Sequence, residues 1–290
     1  MKRPVKESKD PSGEHWVFYR GALGDSVLLW PMLRQWRSRG IDVVLVCDGD
    51  KGRLAVAELG IRAEDAESAK FNRLWVPKAE VEPVASAVSV VAYLGRGGEG
   101  TQAWMANARR MFPNAVIAHR SERPSRPKAV RYALPERRGV ADGPVVMHVG
   151  AGAEEKRWAL EKWVELARDL KGSPGARLIA GEVERERLSD AERTAFEGAG
   201  GEFFTALSEL AGAIRSARMF VAGDCGPGHL AAQMGVPTVS LFGPGDPERW
   251  GPLGPAVQVV APETPRGMDW LGVGVVRGAI EDLGRSVYGS

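Results

Sequence analysis

The segment Phe220–Trp250 reads FVAGDCGPGHLAAQMGVPTVSLFGPGDPERW and gathers residue types that can hold a phosphate. An apolar strand runs out at Asp224. Cys225, Gly226, Pro227 and Gly228 follow, and His229 falls in the first turn of the next helix. The start of a helix offers unpaired N–H groups and the positive end of the dipole, which suits a diphosphate. Glycines there let the backbone approach phosphate oxygens closely. The bland alternative makes Asp224 a helix cap and His229 a surface residue. GPGHLA also fits the dinucleotide pattern GxGxxA. That pattern calls for an acid closing the next strand, and TVSLFG ends in Phe242 and Gly243 instead.

Two further segments have the same strand-end character. In His148–Trp158, HVGAGAEEKRW, Gly150 and Gly152 open a loop that leads to Lys156. A lysine there could neutralise a departing diphosphate, or it could be a solvated cation beside Glu154 and Glu155. In Arg20–Pro31, RGALGDSVLLWP, Gly24 precedes Asp25 at the head of a helix. An acid there could take a proton from a hydroxyl, or it could cap the helix. The helix dipole favours the ionised carboxylate, which weakens it as a base. Asp48-Gly49-Asp50 has the form of a metal-holding DxD, yet it is also plain turn chemistry and comes too early for a nucleotide-binding subdomain to precede it; the turn is favoured.

The elements that must position these residues alternate along the chain. Strands are expected at Trp16–Arg20, Val43–Cys47, Val88–Leu94 and 115–118, with helices at 23–39 and 101–112. The rhythm restarts with strands at Val145–Val149, 177–180, 219–222, 238–242 and 257–260, and helices at 160–170, 184–196, 208–216, 226–234 and 273–283. This βαβ pattern predicts two Rossmann-like, doubly wound parallel-sheet domains facing across a cleft, with ligands beyond the carboxyl ends of the strands. The boundaries expected are 14–135 and 140–272, with the helix 273–290 packing back on the first domain. Between them Arg120–Arg138 carries three prolines and seven basic residues, and reads as a linker that could also attract an anionic acceptor or membrane surface.

Bulk properties narrow the classes. A length of 290 residues suits two domains, and 44% hydrophobic with 26% charged residues describes a globular chain. A net charge of +2 gives no argument for nucleic acid. The two cysteines, Cys47 and Cys225, suggest neither a CxxC pair nor a metal site, and fit a reducing compartment. Met1–Gly13 is polar and reads as a tail rather than a signal peptide, and no apolar run is long enough to span a membrane. The nine tryptophans are expected in the core rather than as a sugar platform.

Together the three segments resemble the glycosyltransferase family 9 heptosyltransferases, which add heptose to the lipopolysaccharide inner core. The resemblance rests on ALGDSVLLWPMLRQWR, VGAGAEEKRWALEKWVELA and DCGPGHLAAQMGVPTVSLFGPGDPERWGP. It covers most of the C-terminal half and the first helix, and nothing between Asp50 and Gly139. It implies the GT-B fold and an inverting, metal-independent transfer with no cofactor. The implied donor is a nucleotide sugar, ADP-linked heptose, and the acceptor a glycan or glycolipid such as lipopolysaccharide core. The implied setting is the cytoplasm, with peripheral contact at the inner face of a bacterial membrane. By the same resemblance Asp25 matches the catalytic base and Lys156 meets the donor phosphates. Gly24, Gly150, Gly152, Asp224, Cys225, Gly226, Pro227, Gly228 and His229 fall at the nucleotide-sugar site, Glu184 near its ribose and Leu207 near its adenine. Two departures stand out: Cys225 replaces the usual Ser or Thr, a weaker hydrogen-bonding group, and Ala159 replaces the usual Pro. Three rivals differ in chemistry: a non-catalytic nucleotide-sugar-binding module, a sugar-nucleotide epimerase of the same fold, and a nicotinamide-dependent oxidoreductase.

Overall fold

The computed structural model describes residues 13–124, 133–170, 172 and 175–289. The expected tail through residue 12 and the middle of the expected linker, 125–132, lie outside the described residues. The chain divides into two units: Met1–Gly21 with Met32–Pro124, and Ala22–Pro31 with Ser125–Ser290.

The first unit holds strands β1 (Glu14–Phe18), β2 (Asp42–Cys47), β3 (Arg62–Asp65), β4 (Ala87–Tyr93) and β5 (Val116–Arg120) in the order β3-β2-β1-β4-β5. The second holds β6 (Val145–His148), β7 (Ala176–Gly181), β8 (Glu202–Phe204), β9 (Met219–Gly223), β10 (Thr238–Leu241) and β11 (Val257–Val260) in the order β11-β10-β9-β6-β7-β8. The strand pairings are parallel throughout. Central strands such as Met219–Gly223 are buried along their whole length, because helices cover both faces of a parallel sheet. In each unit the chain winds one way from its first strand and then reverses. The reversal falls between β1 and β4 in the first unit and between β6 and β9 in the second.

Aromatic rings fill both cores. Phe18 meets Phe71 and Trp104 edge to face at 5.3 and 5.1 Å. Trp158 meets Trp163 at 4.8 Å, and its indole N–H donates to the Leu271 carbonyl at 2.9 Å. The tryptophans named here are therefore packing residues, each at most 2% exposed.

Several expectations need correction. The helix expected at 23–39 is two helices, Leu23–Val27 and Trp30–Ser38. Pro31 has no N–H to continue the first helix, and its fixed φ suits the start of the second. The helix expected at 184–196 divides into Glu182–Arg187 and Asp190–Gly198, because Ser189 caps the second with a capping box to Glu192. Strand β3 was not foreseen: its sequence, RAED, lacks an apolar face because it lies at the sheet edge. The helix Val273–Tyr288 packs within the second unit. Val276, Ala279, Ile280 and Leu283 join the core of the second unit.

Candidate nucleotide-sugar site

The site in the second unit forms where the sheet reverses, the position at which doubly wound sheets open a crevice beyond their strand ends. The loop after β6 and the loop after β9 meet there. From β9 the chain passes through Asp224 and Cys225 into the helix Gly226–Gln233. Cys225, not Asp224, is the N-cap, so the capping alternative for Asp224 does not hold. The Asp224 carboxylate instead accepts from the Lys156 ammonium at 2.7 Å. Lys156 stands in the turn Glu154–Lys156 that follows the β6 loop. Its neighbour Arg157 pairs with Glu154 and Glu192 at 2.8 and 3.1 Å, so Lys156 is not the solvated lysine of the glutamate pair.

His229 is not a surface residue. Only 6% of it is exposed, and its Nδ1 has no hydrogen-bond partner. Burial pushes the imidazole down to about 4, the Lys156 ammonium pushes the same way, and Asp224 opposes both. The ring is therefore neutral at ordinary pH. An unpaired buried polar atom costs about 1–3 kcal/mol unless something satisfies it, and this one sits in the first turn of a helix whose amides point to the same loop.

The helix Leu23–Val27 clusters with this unit and brings Leu23 and Gly24 against the helix Gly226–Gln233. The contact is backbone to backbone. A Cβ on Gly226 would stand 3.1 Å from the Gly24 nitrogen, and a Cβ on Gly24 would stand 3.3 Å from the His229 ring. Asp25 lies in the first turn of its helix but not at the cap, which is Ala22. Its side chain is half-buried.

Glu184 also reaches the site. A Cβ on Gly150 would stand 2.1 Å from a Glu184 carboxylate oxygen, so glycine is required for that approach. The other oxygen accepts from the Gly181 amide at 2.9 Å. Gly152 faces the Asp224 carbonyl, and Gly228 packs on Ala222 and Gly223. Pro227 takes one of the first two helical positions. Leu207 is placed differently, at the start of the helix Leu207–Ser216 after edge strand β8, three strands from β9.

Two contributors escaped the sequence reading. His148, 5% exposed, ends β6 and accepts from the Gly150 amide at 3.2 Å through Nδ1. The Cys225 sulfur lies 3.9 Å from the same nitrogen, and Glu184 lies 3.9 Å from its Nε2. Burial lowers the basicity of His148, with Glu184 opposing. Burial also pushes the Cys225 thiol up to about 12, which keeps it protonated. Gly245 is the second. A Cβ there would meet an Asp224 carboxylate oxygen at 2.6 Å, so the FGPGDP loop closes over that acid. The available signals were a polar residue closing a wholly apolar strand and a second glycine-rich strand end.

The Asp48-Gly49-Asp50 segment opens a helix. Asp48 caps it by accepting from the Lys51 amide at 3.2 Å, and Asp50 pairs with Arg53. Among the described residues no three His, Cys, Asp or Glu side chains converge as a metal site.

Residues 102–269 match the family model of glycosyltransferase family 9 (heptosyltransferase). Lipopolysaccharide heptosyltransferase 1 of Pseudomonas aeruginosa is 33% identical over 163 residues, which are 50% of this chain and 46% of that protein. The match thus spans about half the length of this curated relative. Among solved structures, the E. coli heptosyltransferase WaaC with ADP aligns at a TM-score of 0.60 with 16% identity, covering 93% of this chain and 99% of that one. The glycosyl transferase family 9 protein of Veillonella parvula aligns at 0.65 with 16% identity, covering 94% and 97%. These likenesses show the fold, GT-B with two doubly wound parallel-sheet domains.

Proposed function

Because this chain belongs to glycosyltransferase family 9 (heptosyltransferase), we propose that it transfers a sugar, heptose, from an ADP-linked donor to a glycan or glycolipid acceptor such as lipopolysaccharide core. The transfer is a single inverting displacement without a metal. The observation that carries this reading is the convergence at the β6/β9 reversal of a helix start, the Lys156 ammonium and a buried imidazole with an unsatisfied nitrogen. The relatives agree in chemistry: one is a lipopolysaccharide heptosyltransferase and another was solved with ADP.

In the proposed step the acceptor oxygen forms a bond to the anomeric carbon as the bond to the diphosphate oxygen breaks. The acceptor proton passes to the Asp25 carboxylate. The leaving ADP gathers negative charge, which the Gly226 and Gly228 amides and the Lys156 ammonium, held in place before the reaction begins, stabilise. Gly152 leaves room for the donor, glycines at 24, 150, 226 and 228 let the surrounding protein atoms pack closely around it, and Glu184 and Leu207 receive the ribose and adenine. Among the described residues no helix is long and apolar enough to cross a membrane. The proposed setting is the cytoplasm, with peripheral contact at an anionic membrane surface.

A thermal-shift panel of ADP, GDP, UDP and their sugars tests the donor, and ADP compounds should give the largest shift. Asp25→Ala should abolish transfer of the donor sugar while leaving ADP affinity unchanged. Unchanged turnover would remove Asp25 from its role.

A further inference from the structure

His148 is buried at the site and takes no part in the transfer step described above. It closes the central strand β6, opposite Ile179 of β7 on one side and Ala222 of β9 on the other. Its ring therefore reaches both neighbouring strand ends. Cys225 follows β9, and Glu184 stands in the helix Glu182–Arg187 that leaves β7. A buried imidazole must find its partners in the protein, and the partners here are of different kinds on its two nitrogens.

Nδ1 accepts from the Gly150 amide at 3.2 Å, and the Cys225 sulfur lies 3.9 Å from the same nitrogen. A ring nitrogen that accepts carries no proton, so the neutral ring holds its proton on Nε2. Burial keeps the ring neutral, and the Cys225 thiol, pushed up to about 12, stays protonated and adds a donor on the Nδ1 side. The Nε2–H faces Oε2 of Glu184 at 3.9 Å. That exceeds a hydrogen bond, yet in a nearly buried setting the N–H dipole still draws a carboxylate.

The two oxygens of Glu184 are thereby made unequal. Oε2 accepts from the Gly181 amide at 2.9 Å and is held from the other side by the His148 ring. Oε1 lies over Gly150, where a Cβ would stand 2.1 Å from it, and among the described residues it accepts no hydrogen bond. The side chain is only 13% exposed. Without the Nε2–H, the Gly181 amide is the single fixed point about which this carboxylate can turn. With it, Oε1 stays presented to a hydroxyl, and a hydroxyl donating to a carboxylate makes one of the stronger hydrogen bonds.

We infer that His148 is a positioning residue: its Nε2–H holds the Glu184 carboxylate so that Oε1 accepts from a ribose hydroxyl of the donor nucleotide, and so sets a preference for ribose over deoxyribose. That Glu184 meets the ribose rests on the transferase reading; the contacts that hold it do not. The test is calorimetric titration of the full chain with ADP, 2′-deoxy-ADP and 3′-deoxy-ADP, for the parent, His148→Gln, His148→Asn, His148→Phe and Glu184→Gln. The parent should bind ADP about tenfold or more tightly than one of the deoxy analogues, the step expected for one hydrogen bond to a charged group. Gln keeps an N–H where Nε2 stands, Asn keeps only an acceptor where Nδ1 stands, and Phe keeps neither. Gln should therefore retain the discrimination. Asn and Phe should reduce it to within about twofold while binding the deoxy analogue as the parent does, with folded melting profiles. Nitrogen–proton correlation spectra of the ligand-free parent, with His148 assigned by its loss in His148→Gln, should place the proton on Nε2. A proton on Nδ1 would overturn the role of His148. So would Asn and Phe variants that weaken all three nucleotides equally, or that keep the discrimination while Glu184→Gln loses it; the ribose reading would then stand. A parent that binds ADP and both deoxy analogues alike would overturn the ribose reading itself and this inference with it.

Discussion

Replacing Lys156 with Met keeps the apolar stem and removes the ammonium. Two effects then add. The diphosphate loses a charge-assisted hydrogen bond, worth about 1.5–3 kcal/mol, or roughly 10- to 150-fold in affinity. Asp224, only 9% exposed and now without its partner at 2.7 Å, is left as a bare carboxylate facing the ligand. Its repulsion adds to the loss, since a nearly buried charge is poorly screened. Changing both residues, Lys156→Met with Asp224→Asn, removes that repulsion. The double variant should regain about 1 kcal/mol or more relative to the single one, roughly fivefold in affinity. The assay is calorimetric titration with ADP and AMP at one fixed ionic strength. AMP, which lacks the second phosphate, should lose less. ADP affinity within about twofold of the parent, well under 1 kcal/mol, would refute the role of Lys156. A double variant weaker than the single one would refute the assigned opposition between the two charges.

Other outcomes follow from the same geometry. Gly226→Val should push the helix Gly226–Gln233 off Leu23 and Gly24, where even a Cβ would be 3.0–3.1 Å away; ADP binding and transfer should fall together, and a variant with parental kinetics would contradict the close backbone contact. Gly150→Ala should expel the Glu184 carboxylate and uncap the Gly181 amide, costing about 0.5–2 kcal/mol in a denaturant melt. For His229, the folded value of about 4 lies below its ordinary 6.5. Its contribution to stability is complete above pH 6.5 and is lost as pH falls through that window toward 4, by about 3 kcal/mol in all. His229→Gln should flatten the stability profile between those limits relative to the parent, and parallel profiles would contradict the buried neutral imidazole.

Much of the second sheet was legible because its central strands are apolar on both faces. VVMH and MFVAG have little choice but burial, and each ends in a glycine-bearing loop that turns the chain. What the sequence leaves open is mostly tertiary. The apolar stripe of Val273–Tyr288 says that one face is buried, not against which core, and it covers the second unit's core. Strand β3 is invisible because an edge strand can be polar on both faces. The capping alternative for Asp224 fails only in the fold, where the cap lies one residue later and the Asp224 carboxylate is drawn to a lysine 68 residues away. His148 looked like an ordinary strand residue, and only the fold brings it beside Gly150, Cys225 and Glu184.

The account turns on where a nucleoside diphosphate docks. A crystal structure with ADP is the direct test. It should show the β-phosphate within hydrogen-bonding distance of the amides that begin the helix Gly226–Gln233, with the Lys156 ammonium turned from Asp224 onto that phosphate. ADP bound elsewhere on the chain, with Lys156 still paired to Asp224, would contradict it.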